Sequence, residues 1–386
     1  MITMNNVLFG EFIEVGNELI IDCGCKNTGI FSSVMGRTFF EYLDIWNTAF
    51  TLIGGEKNVM ISHFHKDHVN GLDHLAAHQF NRVYVPSITL DNGGIHIFKK
   101  SLLCYVVGSY NIKKIAQVYL NQVYLANELA INITGIMPIC RGDIINIGEN
   151  IHEIKWPPIK GQIGISVTVL NEVINALRQE NYIPKIMDMI DQISELYNRY
   201  IEMVNAHGDF IIESGIELIN NITISLEKFY TAVDNIHLDE IKRIKERIDH
   251  ISQLNRQIRG DINRTSIVSL MRYNVMDEEK VALFTGDITS DLYNKYIGND
   301  IDKVNILKVP HHGTNERHHY SDMLPDAEIL LISNGIYRIW NITDRYNRYL
   351  INGEIICTNG SQTCKINNNN NGCPLNCSCK NGDILV

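Results

Sequence analysis

The sequence predicts an α/β protein interrupted by a helical insertion. Three observations predict it. Short apolar runs ended by turn residues stand near both ends of the chain, apolar residues recur every three or four positions through the middle, and histidines and carboxylates gather where predicted strands end. The 386 residues suffice for two or three average domains, or for one large α/β domain with an insertion. With 45% hydrophobic and 20% charged residues, the chain can bury a core of ordinary size.

The elements follow in order. LFGEFIEV and ELIID are strand-like, the second ending at Asp22 with Cys-Gly-Cys behind it. KNVMIS (57–62) and VYVPSI (83–88) are further strands, the latter placed near an edge or a strand end by Pro86. Between them Leu72, Leu75, Ala76 and Phe80 predict a helix over 69–80. IHEIKWPPI (151–159) is a strand closed by Pro157 and Pro158. From about 165 to 259 strand signals vanish. Ile186, Met189, Ile190, Ile193, Leu196, Tyr197 and Tyr200 keep helical spacing, as do Ile241, Ile244, Ile248, Ile251 and Ile258. His207-Gly208-Asp209 and Asp234-Asn235 are the predicted breaks of a bundle of three or four helices. Strands resume at 266–273, 281–287, 304–310 and 328–333. The domain expectation is therefore a core of 1–160 with 261–386, and an inserted bundle at 161–260 serving as lid, oligomerisation element or docking site for a partner.

Charge and cysteine usage narrow the function classes. Lys plus Arg is 34 and Asp plus Glu is 44, a net charge of −10, which excludes a protein holding nucleic acid mainly through a strongly basic surface. No apolar run reaches the roughly 18–20 residues that span a bilayer, and the first residues lack the basic and apolar regions of a signal peptide. The expectation is a soluble cytoplasmic protein. Of nine cysteines, Cys23, Cys25, Cys104 and Cys140 are scattered, while Cys357, Cys364, Cys373, Cys377 and Cys379 crowd a Cys-rich segment at 357–379. An odd count without a secretory signal argues against a disulfide framework. The tail reads as reduced thiols or a small metal knuckle.

The chemistry concentrates in Ser62-His63-Phe64-His65-Lys66-Asp67-His68, directly after the strand 57–62. In an extended segment His63 and His65 point the same way, and Asp67 and His68 on the following turn aim at a second point nearby. Zinc takes nitrogen and oxygen ligands at about 2.0–2.2 Å, so the run can supply two ligands to each of two adjacent ions. Two ions need more. Asp287 ends the strand VALFTGD, where Thr285-Gly286 let the backbone turn, and His311 and His312 end the strand VNILKVP before Gly313-Thr314.

This constellation resembles the metallo-β-lactamase fold superfamily, and within it the soluble hydrolase domain of ComEC-type competence proteins. The carrying residues are Asp22, the run 63–68 with Val69-Asn70-Gly71-Leu72 after it, Asn263-Arg264-Thr265-Ser266-Ile267-Val268, Thr285-Gly286-Asp287 and Leu307-Lys308-Val309-Pro310-His311-His312-Gly313-Thr314. The resemblance implies a four-layer αββα sandwich with the site at one edge of two sheets. It implies that His63 and His65 bind one metal, that Asp67, His68 and His311 or His312 bind a second, and that Asp287 bridges. Asp22 and Thr314 would stand behind the ligands, Asp22 orienting the histidine loop. Two divalent ions, zinc or else manganese, would acidify a bridging water into hydroxide at neutral pH. Asp67 and whichever of His311 and His312 is not a ligand would serve catalysis, the histidine by stabilising charge on a phosphoryl oxygen.

The implied function is a dinuclear-metal hydrolase acting as a phosphodiesterase or nuclease, with nucleic acid as substrate. Hydrolysis of a small phosphoester, lactone or thioester is the alternative that the acidic charge favours. A partner-regulated effector or scaffold acting through the insertion is a third. The branch's opening V-G-Q-G-D is reduced to Val15-Gly16-Asn17, and His96 and His152 are the core candidates for the superfamily's further metal-1 histidine. Without a spanning segment, a DNA-translocating channel is excluded. His74, His78, His207, His237 and His250 read as structural, while His318 and His319 are near enough to the H-H-G-T element to reach a substrate. Lys242, Arg243, Lys245, Arg247, Arg256, Arg259 and Arg264 read first as a solvated helix face, or as a track for a phosphate backbone.

Overall fold

The computed structural model describes residues 1–5, 10–25, 57–69, 80–87, 92–109, 112–113, 116–117, 120, 136–158, 165, 167–179, 184–207, 213–236, 238–247, 250–313, 323–333, 344–358, 378–379 and 384–386. These residues form an α/β protein with two mixed sheets. The chain divides into two compact units, 1–86 with 139–157 and 263–386, and 87–138 with 158–262.

The first unit holds the strands. They are β1 (Ile2–Met4), β2 (Gly10–Val15), β3 (Leu19–Cys25), β4 (Lys57–Met60), β5 (Phe80–Pro86), β6 (Ile136–Ile139), β7 (Ile144–Ile147) and β8 (Asn150–Trp156). After the helical region come β9 (Val268–Val275), β10 (Glu278–Phe284), β11 (Lys303–Lys308), β12 (Asp326–Ile332), β13 (Glu354–Cys357), β14 (Ser378–Cys379) and β15 (Ile384–Leu385). Among the described residues one sheet runs β15-β1-β2-β3-β4-β5-β6 and the other β14-β13-β12-β11-β10-β9-β8-β7.

In the first sheet β2 and β3 pair antiparallel, whereas β3-β4 and β4-β5 are parallel. In the second, β7 to β10 pair antiparallel and β10 to β14 are parallel. Alternation along the strands places Ile13, Val15, Leu19 and Ile21 from one sheet in the same core as Ile154, Met271, Ala282, Phe284 and Ile306 from the other. The two sheets thus face each other across one apolar layer, the arrangement expected when each must bury one face. Parallel neighbours β3, β4, β10 and β11 all end at the same kind of place, a carboxyl edge from which loops project. That edge is where ligand sites arise in α/β sheets.

The second unit holds most of the helices. α1 (Lys66–Val69) belongs to the first unit. α2 (Asn92–Val107), α3 (Thr168–Arg178), α4 (Pro184–His207), α5 (Glu213–Asp234) and α6 (Leu238–Arg247) follow, and α7 (Ile251–Arg264) runs to the boundary. α8 (Ser290–Tyr296) lies back among the strands of the first unit. The predicted breaks coincide with the α4–α5 and α5–α6 junctions. The described residues of 161–260 contain five helices where three or four were expected, because α3 and α7 are separate elements.

One boundary differs from expectation. Residues 87–138, assigned from sequence to the first unit, cluster with the helices. Phe98 of α2 stacks on Tyr197 of α4 at 4.0 Å, and buried Lys100 donates to Asp261 of α7 at 2.6 Å. A helix that packs its apolar residues against other helices follows them, whatever its place in the chain. The predicted helix over 69–80 lies outside the described residues beyond Val69. No described helix is long and apolar enough to cross a membrane.

Candidate metal centre

Asp22 sits in β3 with φ +55°, a left-handed conformation that an aspartate tolerates better than most residues. Its carboxylate accepts three hydrogen bonds, from the Ser62 amide at 2.7 Å, the Ser62 hydroxyl at 2.6 Å and His68 Nδ1 at 2.7 Å. The histidine loop leaving β4 is thereby held from below. The Ile267 amide donates to the Ser62 carbonyl at 2.8 Å, tying the same loop to the second sheet. Gly24 makes room for it: a Cβ there would stand 2.2 Å from the backbone of Asp67 and His68.

Asp287 follows β10 at a sharp turn. Gly286 has φ +51°, and a Cβ on it would meet Ser62 and Ser266 at 3.0 and 3.1 Å. The Asp287 amide donates to Ser266 Oγ at 3.1 Å, so the Asn263–Val268 segment positions this carboxylate from behind. Past β11, His311 and His312 carry φ of +51° and +56° and Gly313 +72°. Two consecutive non-glycine residues in the left-handed region store strain, and such strain persists where function requires a particular side-chain direction. The His311 amide is anchored on the Gly286 carbonyl at 3.1 Å.

These loops converge. Among the described residues two groups could hold a metal ion: His63, His65 and Asp287, and Glu11, His68, Asp287 and His312. Asp287 belongs to both. His63 Nε2 lies 3.1 Å from His65 Nδ1 and 3.8 Å from Asp287 Oδ2. His68 Nε2 lies 3.2 Å from His312 Nε2 and 3.5 Å from Asp287 Oδ1. Ligands about 2.1 Å from one tetrahedral ion stand about 3.4 Å apart, so the spacings match the edges of coordination polyhedra.

The sequence left His311 and His312 as equal candidates. His312 is fully buried, belongs to the second group, and has Nδ1 2.9 Å from the Ser333 carbonyl, which turns Nε2 toward the site. His311 is 20% exposed at the rim, with Nε2 3.7 Å from Asp287 Oδ2. Asp67 stands at the edge of the second group, its Oδ2 3.8 Å from His312 Nε2.

The electrostatics suit a cation. Burial drives His63 well below the usual imidazole range, takes His65 down to about 4 and takes His312 down to about 3, leaving the neutral form that ligates metals. Burial also works to raise Asp287, but His312, His68 and His311 more than offset it and hold the carboxyl well below its ordinary range. For His68 burial opposes the charged form, yet Asp287 and Asp22 raise its pKa well above that of free imidazole. A proton on His68 thus occupies part of the role of a cation. Among the described residues, buried His65 Nε2, Asp287 Oδ1 and Glu11 Oε1 have no hydrogen-bond partner. Each would cost about 1–3 kcal/mol if left so. The donor set and these orphaned atoms fit divalent metal.

Some expectations fall elsewhere. His152 is buried but bonds Ser269 Oγ at 3.0 Å and belongs to neither metal group; burial alone takes it down to about 4. His96 lies on α2 in the second unit. Val15 ends β2 and Gly16-Asn17 open the turn to β3, while the carboxylate of β2 that reaches the metal groups is Glu11, which the sequence reading missed. The sequence carries no local signal for it, since β2 holds two acids, of which Glu11 is buried and Glu14 half-buried. Lys242, Arg243, Arg256 and Arg259 are exposed, Lys245 donates to the Gly108 carbonyl, and Arg264 pairs with Asp291 at 2.6 Å. His250 pairs with Glu172 at 3.3 Å on an exposed face. Cys23, Cys104 and Cys357 are buried and Cys140 is half-buried. Thr314, His74, His78, His318, His319, Cys364, Cys373 and Cys377 lie outside the described residues, as do the side chains of Cys25, His207, His237, Arg247 and Cys379. No family model matches the chain, and no curated protein matches it.

Proposed function

We propose that this protein is a hydrolase using two divalent ions, of the metallo-β-lactamase kind and nearest to the ComEC-type branch, and that it cleaves phosphodiesters in nucleic acid. The observation that carries the proposal is Asp287: one carboxylate shared between an imidazole pair at 63 and 65 and a second group built on His68 and His312. Two sites sharing this carboxylate would hold two ions, which together would supply the chemistry used for displacement at phosphorus. The two facing sheets would be the inner layers of a four-layer sandwich.

When bound, zinc or manganese ions would supply a water acidified to near neutral pH and Lewis acidity toward a phosphoryl oxygen. The rest belongs to the chain. His63 and His65 would hold one ion, and His68, His312 and Asp67 the other. Asp22 fixes His68 by accepting from Nδ1, which leaves Nε2 directed at the centre. His311, partly exposed with Nε2 3.7 Å from Asp287 Oδ2, would meet a non-bridging oxygen of the substrate and give a proton to the departing oxygen.

Cleavage of single-stranded DNA and RNA by the full chain tests this, beside the double variant Asp67→Ala, His68→Ala. The expected result is metal-dependent cleavage that falls at least about a thousandfold in the variant. Two bound ions with neither polymer cleaved would move the substrate to a small ester, which the net charge of −10 favours.

A further inference from the structure

Glu11 and Lys308 are both buried, at 1% and 0% exposure, and form an ion pair. They come from different sheets: Glu11 from β2, Lys308 from the last position of β11, four residues before His312. Glu11 Oε2 takes Lys308 Nζ and, at 3.4 Å, the Ser333 hydroxyl. Ser333 is the residue whose carbonyl and hydroxyl lie 2.9 and 3.1 Å from His312 Nδ1. The other carboxylate oxygen, Oε1, is buried and has no hydrogen-bond partner among the described residues. Glu11 stands with the ligand atoms of His68, Asp287 and His312, all within 4.8 Å of one another.

A buried carboxylate that needed only Lys308 would be served by a purely apolar surrounding. This one turns an unpaired oxygen into the company of two imidazoles and a second carboxylate, where only a cation relieves it. We propose that Glu11 is a ligand of the second metal position, additional to His68, Asp287, His312 and Asp67, and that Lys308 offsets the charge of its carboxylate and competes with the ion for it. The ligand chemistry is that of a divalent cation accepting mixed nitrogen and oxygen donors. A fifth donor, from β2, would join the ligands that follow β4 in its own sheet and β10 and β11 in the other. The proposal rests on the two-metal reading above.

Zinc affinities of the full chain, measured by competition with a chromophoric chelator, test it in wild type, Glu11→Gln, Lys308→Met and the double variant Glu11→Gln, Lys308→Met. Circular dichroism of each confirms folding. The expected result is two ions in wild type, with one of the two bound at least tenfold more weakly in Glu11→Gln and the other unchanged. Lys308→Met binds both as tightly as wild type or more so, because it removes a neighbouring positive charge. Should Glu11→Gln fail to fold, the double variant must bind one ion at least tenfold more weakly than Lys308→Met. Equal weakening in Glu11→Gln and Lys308→Met would overturn the proposal and make the pair an inter-sheet brace. Unchanged affinity in Glu11→Gln would overturn it while leaving the two-metal reading intact. Fewer than two ions in wild type would remove both.

Discussion

Asp22 and His68 show how far a single residue sets the chemistry of this centre. Asp22 satisfies the Ser62 amide, the Ser62 hydroxyl and His68 Nδ1 together. Beside it Asp287 presses on the other side of the ring, so the metal-free His68 holds a proton far more strongly than free imidazole, despite burial. An ion at His68 Nε2 must displace that proton. Because the folded pKa is raised, the displacement is hardest at low pH, and affinity for the second ion should climb by about tenfold per pH unit through neutrality. Calorimetry of zinc binding in two buffers of different ionisation enthalpy should show about one proton released at this ion. Asp22→Asn should reduce both the release and the affinity, the latter about 10–100-fold. Binding with no proton release would contradict the account of His68.

Most of these residues were legible from types and spacing alone. Alternation puts His63 and His65 on one side of an extended segment, and carboxylates or histidines after strands gather at one edge. Glu11 was not legible. Its neighbours in β2 are buried on both faces, so nothing in the local pattern marks the acid, and its partner Lys308 is remote in sequence.

At the scale of elements, the turns matter more than the strands. β3 and α1 approach so closely that Gly24 touches the backbone bearing Asp67 and His68. Gly24→Ala should push α1 outward, cost about 1–3 kcal/mol or more of stability, and weaken the second ion while sparing the His63–His65 side. Denaturant unfolding and metal titration of the same sample check this; full affinity at both positions would show that α1 does not depend on that contact. Longer strands such as β8, β9 and β11 were readable because apolar residues recur through enough positions to signal a buried face. β1, β6, β7, β14 and β15 were not. They are only two to four residues long, and pairing makes them strands: Thr3 and Met4 lie between β2 and β15. The left-handed turn at His311 and His312 was hidden for a related reason. Neither residue prefers that conformation, and only the anchoring of β10 and β11 imposes it.

At the scale of the molecule, an α/β unit carries the metal groups and a second unit is helical. The change of texture falls near 160 and 260, and the two compact units meet at 157 and 262. It could not show that 87–138 joins the helices, since α2 looks like any helix of an α/β core until its partners are known. The acidic balance of the whole chain does not describe the site, where carboxylates and imidazoles surround a space suited to positive charge. The measurement that tests this account most directly is elemental analysis of the purified full chain beside Asp287→Asn. The account predicts about two divalent ions per chain in wild type and a loss of at least one in the variant, because the shared carboxylate belongs to both groups. A chain that takes up no metal, or an Asp287→Asn protein that keeps both ions at wild-type affinity, would contradict it.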